Sequence, residues 1–458
     1  MKNVYDVAIV GAGPAGLFAA NRFFDSSLSV CVLEKGKRVN EREEALRSKS
    51  GDKKNLLEGV GGGGTFTDCK LNLTTRGIGG DLTSLGISEG TLGSLIDEVN
   101  DLFTYLGAPE EYSGTDNDAL LGLEQRALNA GIEFVKSRQR HIGTSATREV
   151  IKLFYESLCE QGIDFSLSTE VSEIRFDHDL FFLETTKGII KAHYVILAPG
   201  RASNHWLRDI MASFGASPSF GPIDIGVRVE VPEGVFSPLC EIMYDPKFKI
   251  RTSYDAQVRT FCTNPKGFVI SEQHDNCVLV NGHADRQETT ELTNFALLVK
   301  EPLTQPLSDT EAYGRGVAAL CNILGCNRPL AQSLFDLKKE RRSNERRLER
   351  LPFTPTLSEV TPGDLRRGLP AEILANIIEG LDRLSKIAEG LAYPEQVLLY
   401  APEVKFFSDR HDVSTHMEST INNLFIAGDA SGHTEGIPHA AASGILAAQG
   451  ILKKEGLT

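Results

Sequence analysis

The sequence predicts an α/β protein: a single Rossmann-like domain, discontinuous along the chain, with a β-rich α+β domain carried inside it. Three observations predict this class. The chain opens on a strand, a glycine turn and a helix, VYDVAIVGAGPAGLFAANRF, and a second strand, SLSVCVLEK, ends on an acid. It closes on an apolar strand and a long small-residue helix, NLFIAGDASGHTEGIPHAAASGILAAQGIL. Between them, runs of alternating apolar and polar residues from 223 to 281 read as half-solvated antiparallel strands.

Residues 4–10 are an apolar run of the length of a buried parallel strand. Gly11-Ala12-Gly13-Pro14-Ala15-Gly16 then supplies the GxGxxG spacing: Gly11 for the tight turn, Gly13 for close approach to a pyrophosphate, Gly16 for helix–strand packing. The helix that starts at Pro14 favours an anion at its N-terminus through unpaired N–H groups and its dipole, so no basic side chain is required. After a second strand at residues 28–33, Glu34 stands roughly 20 residues past the glycines, where a carboxylate accepts ribose hydroxyls and repels a 2′-phosphate. Lys35 follows at the same strand end. The motif fixes a dinucleotide and leaves its identity open.

A hydrophobic content of 41% over 458 residues supports a large core and two domains or more. The net charge of −14 argues against a general affinity for nucleic acid or anionic membrane. The first strand begins close to residue 1 without a leader pattern, and no stretch approaches the roughly 18 apolar residues of a membrane span. A cytoplasmic protein is the expectation. Eight scattered cysteines show no CxxC and no zinc spacing, so no metal site is expected and most read as reduced, buried small hydrophobes.

Past a polar, helix-like segment at 38–54 comes GVGGGGTFTDCKLN, residues 59–72. Consecutive glycines here, with Gly62, Gly63 and Gly64 leading into Thr65, can lie flat against a planar ring or phosphates and converge their N–H groups on an acceptor. Phe66, Asp68 and Lys70 directly behind add aromatic, acid and base, a cluster for which a flexible linker has no use.

The pair GAGPAG and GGGGTFTDCKLN resembles the family of bacterial and archaeal FAD-dependent dehydrogenases, whose second glycine loop usually reads GGAGTFSDGKL, within the glutathione reductase-like FAD superfamily. The chain departs from that pattern at Gly63, Thr67 and Cys69; HIGT, VILAPG, IGVRVE, VTPGDLR and GDASGHTEGI are further matches. The resemblance implies FAD as cofactor. It also implies that Val171 presents its backbone to adenine and that Ala198-Pro199-Gly200 returns the chain beside the cofactor, with Pro199 where relatives have threonine. Gly428 then leads into Asp429, which bonds the ribityl chain, and Gly436 and Ile437 open a last helix aimed at the flavin N1–C2=O edge. A positive helix end there stabilises the negative charge of reduced flavin. With one GxGxxG between a strand and a helix, and so no second Rossmann domain expected, NAD(P)H is expected to bind transiently if at all.

Elsewhere, residues 89–106 read as an amphipathic helix and 132–135 as a short extended piece. Thr144 or Ser145 is the expected N-cap of a helix at 146–161. Residues 163–168, 170–178, 180–185 and 188–192 read as successive short strands, 194–197 as a separate apolar one, and 206–214 as helix. Arg228 and Arg259 read as solvated, with a substrate carboxylate as the alternative. The basic run DLKKERRSNERRLER, residues 336–350, reads as a solvated helix face with i,i+4 pairs, nucleic-acid contact being the minority reading. Residues 365–391 read as mainly helical, with Pro370 at a helix start, and 403–407 as a strand returning toward the flavin.

The chain then divides into an FAD-binding domain at 1–88, 132–202 and 357–458, a helical insert at 89–131 and a substrate domain at 203–356. The expected function is hydride exchange between flavin N5 and a small-molecule substrate held between the domains, with His141, Lys70 and His439 as candidates for the proton-handling group. A flavin-dependent monooxygenase and a flavin-using nucleic-acid-modifying protein are the alternatives.

Overall fold

The computed structural model describes residue 2 and residues 4–47, 57–66, 69–274, 277–284, 288–301 and 309–457. The chain forms two compact units: Met1–Glu111, Arg140–Gly221 and Ser408–Thr458 make the first, Tyr112–Gln139 and Pro222–Phe407 the second.

The first unit is built on a parallel sheet in the order Asp164–Ser166, Val30–Leu33, Val4–Val10, Gly188–Leu197, Leu424–Ile426. Successive residues of a strand face opposite sides, and here both sides are covered. Val7, Ile9, Val30 and Val32 enter one core with the helices Pro14–Arg22 and Ile437–Lys454. Ala8, Val10, Cys31 and Leu33 enter another with Leu207, Ile210 and Met211 of the helix Asn204–Ser213. That double burial is why the inner stretches 7–10, 30–33 and 194–197 read as apolar runs.

Several elements differ from expectation. The pieces at 188–192 and 194–197 are one strand, Gly188–Leu197. Its first half pairs antiparallel with Leu180–Thr185, and from Lys191 it also pairs parallel with Val4–Val10. The exposed His193 interrupts the apolar pattern without interrupting the strand. The helix expected at 146–161 is Thr144–Glu160; its N-cap is Gly143, at φ +84°, and Thr147 donates its hydroxyl to the Gly143 carbonyl at 2.8 Å. The helix Glu89–Tyr105 belongs to the first unit rather than to an insert. Its Leu92, Ile96, Val99 and Phe103 join the core of the first helix, Phe103 stacking on Phe18 at 5.9 Å. Residues 203–221 likewise fall in this unit, because Asn204–Ser213 packs on its sheet.

The second unit carries an eight-stranded sheet in the order Thr361–Pro362, Leu330–Ser333, Leu398–Phe406, Ile223–Pro232, Leu292–Glu301, Gln257–Asn264, Lys247–Arg251, Ile132–Val135. Residues 357–407 therefore belong here: Leu398–Phe406 pairs antiparallel with Ile223–Pro232, Ile223 opposite Phe406, and does not return to the first unit's sheet. Residues 132–139 belong here too, since Ile132–Val135 is the sheet's edge beside Lys247–Arg251. The central strands Ile223–Pro232 and Leu292–Glu301 are buried along nearly their whole length, not half-solvated. The helices Thr310–Gly325 and Ala371–Leu384 cover one face, and Leu351, Phe353 and Leu357 pack with Leu398 and Tyr400 on the other.

Both arginines singled out are paired with acids, Arg228 buried and Arg259 partly exposed. Arg228 is fully buried, its guanidinium donating to Glu403 Oε2 at 2.8 Å and to the Cys262 carbonyl at 2.9 Å. Arg259 donates to Asp224 Oδ2 at 2.6 Å. Their carboxylates come from the chain itself. The basic run is two short helices, Leu334–Lys338 and Glu345–Leu348, rather than one solvated face.

Candidate functional site

The first glycine turn is held by contacts that only an absent side chain permits. At Gly11, φ +104°, a Cβ would stand 2.3 Å from the Ala198 carbonyl oxygen, and at Gly16 1.9 Å from that of Gly11. The Ala198 N–H donates to the Val10 carbonyl at 2.8 Å, so Ala198, Pro199 and Gly200 lie against this turn. Gly13 is different: a Cβ there would meet nothing within 4 Å. Gly13 is also the N-cap of Pro14–Arg22, with no side-chain cap and no acid in the first turn. The helix's own bonds begin with Leu17 N to Gly13 O at 2.9 Å, which leaves the N–H groups of Ala15 and Gly16 ahead of them.

The last helix repeats the arrangement. Gly436, at φ +94°, caps Ile437–Lys454 without a side-chain bond or a first-turn acid, and open space lies where its Cβ would be. The two helices touch closely: a Cβ on Gly444 would be 2.0 Å from the Ala15 carbonyl oxygen, and one on Gly428 3.0 Å from Ala15 Cβ. The Gly428 N–H is anchored on Ser443 Oγ at 2.7 Å. The second glycine stretch folds as a single tight turn, Gly62–Phe66, between the two helix starts. A Cβ on Gly62 would lie 3.4 Å from Gly13 Cα and one on Gly64 3.0 Å from Ile437 Cδ1, while Gly61 N donates to Ala12 O at 2.8 Å. Gly63 sits on the same turn, near Leu57.

Glu34 is buried, and its carboxylate is already engaged by backbone: Oε2 accepts from Ala12 N at 2.8 Å, Oε1 from Gly36 N at 2.7 Å and Gly59 N at 3.0 Å. Of about four lone-pair positions on a carboxylate, three are used, so its first role is to tie both glycine stretches together. Lys35 pairs with Glu58 at 2.9 Å. The Thr169 N–H donates to the Glu34 carbonyl at 2.8 Å, which places the start of the strand Val171–Asp177, and buried Val171 with it, beside Glu34. Asp429 accepts from Thr434 Oγ1 at 3.0 Å and lies 3.4 Å from Arg201.

The residue that sequence reasoning missed is Arg42. Fully buried, it donates to the carbonyls of Val60 at 2.6 Å and Gly62 at 3.0 Å and lies over the Phe66 ring at 4.6 Å. It fixes the turn that holds buried Thr65, whose hydroxyl reaches the Val60 carbonyl at 3.3 Å. Burial pushes its pKa down to about 10, opposed by Glu34 and Glu58, so it stays charged at neutral pH. Its one sequence signal is an arginine on the apolar side of a helix, Val39–Arg47, that is otherwise charged.

Of the proton-handling candidates, Lys70 and His141 come together. Lys70 opens the strand Lys70–Leu73, and Ile142 N donates to the Cys69 carbonyl at 3.0 Å, setting His141 beside it. Asp68 and Thr67 lie outside the described residues. His439 stands apart: it is 1% exposed and packed against Gly79, where a Cβ would fall 2.0 Å from the imidazole. Burial pushes its pKa down to about 4, so the imidazole is neutral at pH 7. All eight cysteines are free; Cys31, Cys69, Cys277 and Cys321 are buried, whereas Cys159 and Cys326 are exposed, against the expectation that most are buried. Among the described residues no cluster could hold a metal ion, and no helix is long and apolar enough to cross a membrane.

No protein-family model matches the chain. A protein of Clostridium beijerinckii described as uncharacterized is 25% identical over 479 residues, covering 97% of this chain and 80% of that one. A 41-residue segment is 61% identical to the mitochondrial electron transfer flavoprotein-ubiquinone oxidoreductase of Oryza sativa subsp. japonica, 8% of this chain and 7% of that one. Among solved structures, L-proline dehydrogenase from P. horikoshii is similar at 14% identity and a TM-score of 0.45, covering 100% of this chain and 95% of that one. Glycine oxidase from Geobacillus kaustophilus is similar at 14% and 0.41, covering 99% and 95%. Likenesses at this level say nothing about activity. The α/β class, with a discontinuous Rossmann-like unit and a separate β-rich unit, stands on the strand order itself.

Proposed function

We propose that the first unit binds FAD and that the protein is an FAD-dependent oxidoreductase of the dehydrogenase or reductase type, exchanging a hydride between flavin N5 and a small-molecule substrate. One observation carries this: two helices from opposite ends of the chain start on either side of one glycine turn, both with bare glycine caps, and Gly13, Gly200 and Gly436 face open space. One anion-attracting helix start suits any nucleotide. Two of them, joined by a glycine turn that can lie against a ring, suit a dinucleotide with a reducible ring that gathers negative charge. The segment shared with a flavoprotein oxidoreductase supports the same reading.

The N–H groups of Ala15 and Gly16, with Gly13 and Pro14, would hold the diphosphate. Glu34 and Val171 would face the adenosine end, and Lys35 stays bound to Glu58 at its rim. Gly62, Gly63, Gly64 and Thr65, with Ala198, Pro199 and Gly200, would flank the middle of the cofactor; Gly428 and Asp429 would take the ribityl chain, and Gly436 and Ile437 the ring carbonyl. When bound, FAD supplies the two-electron step. The chain's part is to exclude water, orient the substrate and move a proton, and Lys70 or His141 is proposed for the last.

The test is direct. Purified protein, as isolated or reconstituted with FAD, is titrated anaerobically with NADH, NADPH and metabolite pools while the flavin absorbance band is followed. Stoichiometric FAD and bleaching by a small molecule support the proposal; failure to bind FAD at micromolar concentrations ends it. Oxygen uptake coupled to NAD(P)H would move the chemistry to a monooxygenase.

A further inference from the structure

We propose that the turn at residues 341–346 of the second unit binds the phosphate group of a small molecule. The inference is independent of FAD binding in the first unit.

The turn is fixed from beneath. Asp336, 1% exposed, accepts from Ser343 Oγ at 2.7 Å and Arg341 Nε at 2.6 Å, and its carbonyl accepts from Arg341 N at 3.0 Å. Gln332 Nε2 donates to the Arg341 carbonyl at 2.8 Å, and Ser343 N donates to the Gly363 carbonyl at 2.9 Å. A merely solvated basic loop has no need of a buried carboxylate and a buried amide to hold its backbone. Above them, Arg342, Asn344, Glu345, Arg346, Thr361 and Pro362 line a groove of about 460 Å³.

Three neighbouring cations are matched by acids of the chain: Arg341 with Asp336 at 2.6 Å, Lys338 with Asp382 at 2.5 Å, Arg366 with Asp364 at 2.8 Å. Exposed Arg342 and Arg346 are not; among the described residues their guanidinium groups make no hydrogen bond or ion pair. Two unmatched guanidinium groups on one rigid turn offer planar donor forks that fit phosphate oxygens. The fixed backbone leaves little to order on binding beyond two side chains. Glu345 shares the lining, so the groove carries two positive charges against one negative, which suits a small anion. A nucleic-acid backbone needs a longer uninterrupted track, and Glu340, Glu345, Glu349 and the net charge of −14 oppose it.

Calorimetric titration of the whole protein with inorganic phosphate, then pyrophosphate, then a short single-stranded RNA, at fixed ionic strength, tests this. Saturable binding of phosphate or pyrophosphate is expected, weakened about tenfold or more in R342A/R346A. It should be unchanged in R350A, which removes an exposed charge outside the lining. Since both lining arginines are exposed and unpaired, the double variant should keep the wild-type circular dichroism and melting temperature. No saturation below about 10 mM, an equal loss in R350A, or binding of RNA that phosphate and pyrophosphate fail to displace would each overturn the proposal.

Discussion

Replacing Gly13 with alanine separates the fold from the ligand. At this position φ is −74° and ψ −176°, a conformation open to any L-residue, and the new Cβ meets no atom within 4 Å. The folded chain thus loses no contact, and the smaller entropy of its unfolded state stabilises it by about 0.4–1 kcal/mol. For FAD the same methyl group stands where a diphosphate must approach the backbone. A displaced diphosphate loses its bonds to Ala15 N and Gly16 N, and two charge-assisted bonds, at about 1.5 kcal/mol or more each, correspond to a rise in Kd of about a hundredfold. Gly16→Ala is the contrasting variant. Its Cβ would be 1.9 Å from the Gly11 carbonyl oxygen where ordinary contact begins at 3.4 Å, so backbone must give by about 1.5 Å, a cost of about 1–3 kcal/mol. Urea denaturation of the ligand-free proteins and FAD fluorescence quenching read the two effects separately. A folded Gly13→Ala protein with wild-type affinity for FAD would refute the placement of the diphosphate.

Other outcomes follow from single contacts. Arg42→Met removes the guanidinium donor from the carbonyls of Val60 and Gly62, leaving the first with only the Thr65 hydroxyl at 3.3 Å, and should lower the unfolding free energy by about 1–3 kcal/mol in denaturant titration; an unchanged midpoint would mean the turn stands without it. Glu34→Gln sets an amide NH₂ against the N–H groups of Ala12, Gly36 or Gly59, with an expected loss of about 1–3 kcal/mol and weaker FAD retention on gel filtration. His439 has its pKa depressed from 6.5 to about 4. The unfolded chain therefore binds a proton that the folded chain refuses: the stabilisation is complete above pH 6.5 and fades as pH falls toward 4. Between pH 7 and 5 the wild type should lose about 2 kcal/mol more than His439→Gln, and parallel stability–pH curves for the two would contradict a buried neutral imidazole.

The sequence by itself determined the parts of the site that are local. A strand, the glycine spacing of Gly11, Gly13 and Gly16, and an apolar strand before a small-residue helix each fit within one window, because glycine reports the local backbone and periodicity reports burial. The strands Val4–Val10 and Leu424–Ile426 and the helix Ile437–Lys454 stand close to where those patterns put them.

Only the tertiary structure decided who pairs with whom. Leu398–Phe406 reads equally well as a strand of either unit, and its partner, Ile223–Pro232, lies some 175 residues away, as in Arg228 with Glu403. Leu292–Glu301 is apolar on both faces, so no alternation announced it, yet it is the neighbour of Ile223–Pro232 at the centre of that sheet. Glu34 was legible as an acid at a strand end, but that its oxygens hold Ala12, Gly36 and Gly59 was not, nor was Arg42's grip on the second glycine turn. A hydrogen bond needs two groups about 3 Å apart, and a residue's type states what it can donate or accept without stating which distant backbone the fold will bring to meet it.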